Sequence, residues 1–260
     1  MRYLLYISFD GTDYVGYQIQ KNGRSVQGEL NRAAKELFGV PCDITGCSRT
    51  DSGVHARMFC ATLEAHGELP LKTGISPEKL PFALNTRLPE SISVMSARLV
   101  EEDFHARYSV ISKEYVYRIY NSPVRSPFES GRSWHFPKLI DEKGLADMQT
   151  AAKGFVGRHD IASCMAEGSK VTSTVRTVFN SEVSREGNII TFRVKADGFL
   201  YNMVRIMTGT LVEVGTGQIS PDSIPERLLA LDRKLMGRTA PPEGLYLNRV
   251  FYEWDGEVRE

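Results

Sequence analysis

Residues 48–56 concentrate side chains that can do nucleophilic or acid–base chemistry. The run reads Ser-Arg-Thr-Asp-Ser-Gly-Val-His-Ala, so it holds a cation, a carboxylate, hydroxyl groups and an imidazole directly after an apolar stretch. Gly53 lets the backbone turn where a bulkier residue would clash. Asp51 alone would be read as a solvated loop carboxylate, but Arg49 and His55 beside it predict a functional site.

A second polar segment, Asp10-Gly11-Thr12, directly follows a hydrophobic strand. It is similar to the phosphatase motif in which two aspartates flank one residue before Gly-Thr. Here the nucleophile position holds Ser8, so the carboxylate of that chemistry is missing. A small-molecule phosphatase is therefore disfavoured.

Two later segments place tyrosines and an arginine in apolar surroundings. Tyr115 and Tyr117 lie two residues apart in a strand-like stretch, so they share one face and either pack in the core or line a cleft. Arg205 stands between Val204 and Ile206. A guanidinium desolvated by such neighbours needs a carboxylate partner.

Taken in order, these segments resemble the tRNA pseudouridine synthase A (TruA) family over nearly the whole chain. Residues 48–56 resemble its catalytic-aspartate loop, with Ser48 where the family more often has glycine. Residues 9–18 resemble its opening motif, with Tyr17 where the family usually has tryptophan, and residues 243–247 resemble its closing motif. Matches in this order are poorly explained by chance.

The resemblance implies an isomerase that converts uridine to pseudouridine at positions 38, 39 and 40 of the tRNA anticodon stem-loop. It implies a catalytic role for Asp51, either as a nucleophile or as a base toward the sugar. Arg205 matches the arginine that pairs with this aspartate, and Tyr115 matches the catalytic tyrosine that stacks on the target uracil. It further implies substrate-binding roles for Arg49, Tyr115 and Leu245, whereas we expect His55, within the loop, to serve structure.

No cofactor is expected, because the implied isomerisation is redox-neutral and needs neither a hydride carrier nor ATP, and no metal is expected, because the sequence lacks a cluster of ligands. A zinc site built from Cys42, Cys47 and Cys60 with His66 is conceivable, but its spacing fits no standard ligand pattern. The cysteines are better interpreted as reduced core residues. The expected partner is the anticodon arm of tRNA, and the resemblance also implies a homodimer.

The 260 residues carry 32 Lys plus Arg and 32 Asp plus Glu. This balance is unusual for a nucleic-acid binder, although a local basic cleft is compatible with a neutral total. The alternative function is a non-catalytic RNA-binding protein on the same scaffold, which the intact Asp51, Tyr115 and Arg205 disfavour. The apolar start, residues 1–9, is too short for a membrane span and lacks a cleavage site, so we expect a cytoplasmic protein without a membrane anchor.

Predicted strands and helices, which must position these side chains, are mixed in both halves of the sequence, with hairpins as well as crossovers. This order predicts an α+β fold with a largely antiparallel sheet. The resemblance implies two ferredoxin-like α+β halves that share one continuous antiparallel sheet, with the active-site cleft between them. We place the N-terminal half, with the Asp loop, at 1–103, and the C-terminal half, with the Tyr and Arg, at 104–260. Hydrophobic spacing predicts helices over 26–38, 76–85, 145–155 and 199–214 and one from Ser220-Pro221. It predicts strands over 3–9, a stretch ending at 47, 56–63, 92–99, 175–183, 189–196 and 245–254, and one long strand or two shorter ones over 107–120.

Overall fold

The computed structural model describes residues 1–67, 71, 74–168 and 171–256 and divides into two compact units. Unit 1 holds Met1–Ile111 and the chain from Tyr246 onward, and unit 2 holds Ser112–Leu245. Each unit combines a sheet with helices, so the predicted α+β class is confirmed. The division after residue 103 stays a prediction.

The described chain forms ten strands and five α-helices. The strands are β1 (Arg2–Phe9), β2 (Cys42–Gly46), β3 (His55–Ala65), β4 (Ile92–Val100), β5 (Ser112–Asn121), β6 (Trp134–Phe136), β7 (Gly157–Asp160), β8 (Val175–Glu186), β9 (Ile189–Ala196) and β10 (Leu245–Phe251). The helices are α1 (Val26–Phe38), α2 (Leu80–Asn85), α3 (Glu142–Lys153), α4 (Met203–Gly215) and α5 (Ile224–Leu229). Short 3-10 turns connect several of them.

In unit 1 the strand order is β4-β1-β3-β10, and β2 also pairs with β3. The pairs β1/β3, β1/β4 and β2/β3 are antiparallel, whereas β10 runs parallel to β3 with Tyr246 opposite His55. This register places β10, the last strand of the described residues, beside the first residues after the Asp51 loop.

Helix α1 has the bounds that its capping residues predict. The Ser25 hydroxyl accepts the N–H of Gly28, and Gly39 ends the helix in the left-handed conformation at φ 71°. Both are local signals, because a capping oxygen satisfies an otherwise unpaired N–H and glycine reaches positive φ without a Cβ clash. The buried face of α1 consists of Val26, Leu30, Ala33 and Ala34.

In unit 2 the strand order is β5-β9-β8-β7, with β6 parallel to β5. The other pairs are antiparallel, and Tyr115 and Tyr117 of β5 stand opposite Val194 and Phe192 of β9. Helix α3 packs on α4 and β8, and α4 packs on β5. The predicted antiparallel pairing is thus dominant, and each unit adds one parallel pair.

Three helices begin later than the sequence predicts, and one of them, α5, starts at Ile224 because a 3-10 turn over Pro221–Ser223 comes first. Helix α2 starts at Leu80, because the carbonyl of Ser76 accepts from the N–H groups of Lys79 and Leu80 and closes a turn first. Helix α4 starts at Met203 rather than Phe199, because Asn202 takes the left-handed conformation. Within the described residues, none of the helices combines the length and hydropathy that a membrane span requires.

Candidate active site

The Asp51 loop connects β2 to β3 through a tight turn. The N–H of Val54 donates to the carbonyl of Asp51 at 3.2 Å, and Gly53 turns the chain at φ 76°. Asp51 itself is half-buried. The predicted turn at Gly53 is confirmed. Asp51 therefore lies on a segment whose backbone hydrogen bonds restrict its conformation.

The opening motif, residues 9–18, forms hydrogen bonds with this loop. The Tyr17 N–H donates to the Thr50 carbonyl at 3.2 Å, and the Tyr14 carbonyl accepts from the Gly53 N–H at 3.3 Å and the Ser52 hydroxyl at 3.1 Å. Two segments that lie more than thirty residues apart therefore form one structural unit. Sequence reasoning found both motifs but not this contact, since it depends on long-range pairing.

His55, at the end of the same loop, contacts the opening motif and β10. Its ring is buried, its Nδ1 accepts the N–H of Gly11 at 3.1 Å, and it stacks on Tyr246 with ring centroids 4.6 Å apart. The same Nδ1 lies 3.2 Å from Oδ1 of Asp10, so the ring contacts two consecutive residues of the opening motif. These contacts support the expectation that His55 serves structure rather than chemistry.

Tyr17 of the opening motif has a packing role. Its ring stacks on Phe59 with centroids 4.3 Å apart and is almost completely buried. Its hydroxyl is also buried and has no hydrogen-bond partner within the described part of the chain. Burial raises the pKa of this hydroxyl well above its ordinary value, so the group stays neutral.

Two exposed arginines flank the Asp51 loop. Arg49 precedes Asp51, and Arg57 follows the loop on β3. The Arg57 guanidinium lies 5.4 Å from the ring centroid of Tyr246 and donates to the Asn248 amide oxygen at 3.4 Å. Counting described residues only, neither arginine forms an ion pair with a carboxylate. Sequence reasoning did not single out Arg57, because its aromatic neighbour comes from β10.

In unit 2, Tyr115 is buried and its ring meets Phe199 edge-on, with centroids 4.7 Å apart. Tyr117 on the same face is fully buried and donates its hydroxyl to the Pro241 carbonyl at 2.6 Å. Burial, with a smaller contribution from Glu243, raises the pKa of Tyr117 well above its usual value despite the opposing charge of Arg205. Tyr117 therefore acts as a hydrogen-bond donor that ties down the backbone.

Arg205 is half-buried in the first turn of α4, and two acceptors hold its guanidinium. Nε donates to the Ala240 carbonyl and Nη1 to the Asn202 amide oxygen, both at 2.7 Å. The Ala240 N–H in turn donates to the Arg205 carbonyl at 3.0 Å. The orientation of this side chain is thus defined inside unit 2.

Residues 236–244, which we name the support loop, lie tightly against α4. The Gly237 N–H donates to the Thr210 hydroxyl at 2.9 Å, and a Cβ at residue 237 would lie 2.7 Å from the Cα of Thr210. The loop ends at Gly244, where Leu245, buried, begins β10. Of the predicted site residues, unit 1 carries Arg49 and Asp51, and unit 2 carries Tyr115, Arg205 and Leu245.

The four cysteines are all free and buried, which confirms their interpretation as core residues. Burial raises the pKa of Cys42 to about 11 and that of Cys164 to about 12. Thiols with such values are almost fully protonated at neutral pH, so they are poor nucleophiles and poor metal ligands. Across the described residues, no three His, Cys, Asp or Glu side chains are grouped as a metal site requires.

Comparison with known proteins gives a consistent result. A family model described as tRNA pseudouridine synthase matches residues 5–109 and 151–253. The tRNA pseudouridine synthase A of Ruminiclostridium cellulolyticum is 43% identical over 249 residues, 95% of this chain and 98% of its own. That of Acetivibrio thermocellus is 43% identical over 248 residues, with the same shares. That of Bacillus pumilus is 42% identical over 252 residues, 95% of this chain and 97% of its own.

Among solved structures, one described as "Crystal Structure of a Cbf5-Nop10-Gar1 Complex" aligns with 94% of this chain and 57% of that chain. The TM-score is 0.34 and the sequence identity is 13%. At these values the likeness supports no conclusion about this chain.

Proposed function

Because the chain belongs to the tRNA pseudouridine synthase family, we propose that it converts uridine to pseudouridine at positions 38, 39 and 40 of the tRNA anticodon stem-loop. The proposal rests on one observation: backbone hydrogen bonds with residues 14–17 hold the Asp51 loop in place. A carboxylate on a restrained, half-buried turn suits chemistry at a sugar carbon, since a catalytic group must be held in its productive geometry.

The proposed reaction breaks the N1–C1′ bond of uridine and forms a C5–C1′ bond. One proton leaves C5 and one reaches N1, so the base keeps its formula and no redox step occurs. Asp51 either attacks as a nucleophile or removes a proton from the sugar, and both routes need its ionised form. In this proposal Arg205 favours that form, because a nearby cation stabilises a carboxylate.

The target base must leave its stack before Asp51 can reach the sugar. We assign Tyr115 to stack on the extruded uracil, which its edge-on contact with Phe199 supports because it fixes the ring. Base–aromatic stacking contributes about 1–3 kcal/mol per base. Leu245, buried at the start of β10, supplies an aliphatic contact.

For the tRNA backbone we assign Arg49 and add Arg57. Several other arginines of unit 1 are occupied by carboxylates, as in the pairs Arg2–Glu64 at 2.6 Å and Arg24–Glu29 at 2.9 Å. The two arginines beside the Asp51 loop are exposed and, among the described residues, lie outside such pairs. A basic surface at the loop is therefore compatible with the zero net charge of the chain. From the resemblance we also propose a homodimer and a cytoplasmic location.

The test uses purified protein and an unmodified tRNA transcript that carries uridine at positions 38–40. We expect pseudouridine at these positions, mapped by chemical labelling and primer extension, and unchanged activity in protein pretreated with EDTA. Binding of the transcript without any product would instead favour the non-catalytic RNA-binding alternative. A tRNA with cytidine at these positions serves as the substrate control.

A further inference from the structure

We infer that Asn202 is a positioning residue that orients the guanidinium of Arg205 for the reaction; this inference rests on the proposed function. Asn202 adopts φ 59°, and among the described non-glycine residues only Leu231, at φ 52°, shares a positive φ. The left-handed conformation is unfavourable for a non-glycine residue, although asparagine tolerates it better than most. Such a conformation is retained where the surroundings impose it.

The side chain of Asn202 serves Arg205 instead of the helix. Asn202 occupies the N-cap position of α4, where an asparagine oxygen normally accepts a backbone N–H of the first turn. In the described chain no such capping bond forms, and the amide oxygen accepts Nη1 of Arg205 at 2.7 Å. The capping role is replaced by a contact with a side chain that we assign to catalysis.

Two hydrogen bonds at separate edges of the guanidinium contribute to the orientation of its plane. The Ala240 carbonyl holds Nε, and the Asn202 oxygen holds Nη1. Loss of the Asn202 oxygen removes the bond at Nη1 and loosens the orientation of the group. The rigid planar fork of arginine aligns with a carboxylate only when its plane is set, so the second acceptor matters for orientation.

The chemistry of an amide suits this position. A neutral oxygen accepts a hydrogen bond from Arg205 without cancelling the positive charge that the proposed reaction needs. An aspartate at 202 would form its own ion pair with Arg205 and compete for that charge. Asn202 therefore orients the cation and leaves its charge intact.

The same guanidinium is tied to the strand of Tyr115. Ala240 lies in the support loop, and the Tyr117 hydroxyl of β5 donates to the next carbonyl, that of Pro241. The support loop thus sets Arg205 relative to Tyr115, two residues before Tyr117. Removal of the Asn202 side chain leaves this second support in place, so we expect impaired orientation and an intact fold.

The central variant is Asn202→Gly, because glycine reaches positive φ without strain and removes only the side-chain acceptor. We expect its single-turnover rate to fall by roughly tenfold to a hundredfold, as is usual when a group that orients an active-site residue is removed. The Kd for tRNA should stay unchanged, since Asn202 acts through Arg205 and not on the RNA. Leu231→Gly is the matched control: it relieves the same kind of backbone conformation at an exposed position, and its rate should equal that of wild type.

A double-mutant cycle with Arg205→Lys decides whether Asn202 acts through Arg205. Lysine keeps a charge but lacks the planar fork, so Asn202→Gly should add no further loss to the Arg205→Lys enzyme. An unchanged rate in the single Asn202→Gly variant, or losses that multiply in the double variant, would overturn the inference. A wild-type protein without pseudouridine activity would instead show that the proposed function is wrong.

Discussion

Gly16 faces the carbonyl oxygen of Thr50 so closely that a Cβ at residue 16 would lie 2.6 Å from it. The backbone of residue 16 also has φ 117°, a conformation that side chains rarely adopt. The opening motif and the Asp51 loop can therefore approach each other only with glycine here. Asp51 follows Thr50 directly, so this contact sets the position of the proposed catalytic carboxylate.

We predict that Gly16→Ala lowers both turnover and stability. The added methyl group pushes the Thr50 carbonyl away, and a displacement of about 1 Å can cost a hundredfold in rate. The cost in unfolding free energy should be about 1–3 kcal/mol from backbone strain. Gly39→Ala is the control, because its φ is 71° and no described atom lies within 4 Å of its added Cβ. Equal losses of turnover in the two variants, measured with tRNA at saturation, would contradict this prediction.

Tyr17→Phe should stabilise the protein without changing its activity. The hydroxyl is buried without a partner within the described chain, and an unsatisfied buried polar group costs about 1–3 kcal/mol. The stack on Phe59 survives the change, because the ring is retained. We expect a Tm increase of roughly 2–4 °C per kcal/mol recovered, measured by thermal unfolding. A lower Tm would show that the hydroxyl has a partner, such as a buried water.

The predicted element boundaries agree with the structure where a local capping or turn residue marks them. Ser25 and Gly39 cap α1, and the hairpin of β8 and β9 turns within residues 185–188 as expected. The predicted start of α4 at residue 199 is wrong, since Phe199 lies ahead of the helix and packs on Tyr115. The signal that would have found it is Asn202, a residue type that favours left-handed backbone just before an apolar run.

Long-range pairing explains most of what sequence reasoning missed. Strands β6 and β7 have three and four residues, and they exist because β5 and β8 offer edges to pair with. Likewise, the sequence around Arg57 does not predict its contact with Tyr246, and the sequence around Arg205 does not predict its contact with Ala240. Each contact joins residues that are far apart in sequence. The candidate site was predicted as a set of residues, but its supports become visible only in three dimensions.

Arg57→Gln should weaken tRNA binding and reduce its salt dependence. If Arg57 neutralises one phosphate, its removal should make the slope of log K against log salt concentration shallower by about 0.7–0.9. Arg32→Gln is the matched control, because Arg32 is also exposed but pairs with Glu29 at 3.0 Å and Glu36 at 2.9 Å. Titrations of labelled tRNA at several salt concentrations measure the slope. A slope that changes equally in both variants would argue against a specific contact at Arg57.

Asp51→Asn should abolish pseudouridine formation and leave tRNA binding intact. The amide is nearly isosteric with the carboxylate, but it is a very poor nucleophile and base, so both proposed routes fail. A carboxylate repels phosphates, and its removal should therefore not weaken association. Asp43→Asn is the matched control, since Asp43 is an exposed carboxylate on β2 paired with His66 at 2.9 Å. Its turnover should equal that of wild type.

The decisive measurement for Asp51 pairs a tRNA binding titration with pseudouridine mapping of the anticodon arm. Product formed by Asp51→Asn at a rate close to wild type would rule out Asp51 as the catalytic group. Impaired binding together with an unchanged melting temperature would instead move Asp51 to a recognition role. Normal binding without product, in a protein whose Asp43→Asn counterpart stays active, would assign to Asp51 the chemical step itself, because the change from oxygen to amide nitrogen leaves shape and contacts almost unaltered.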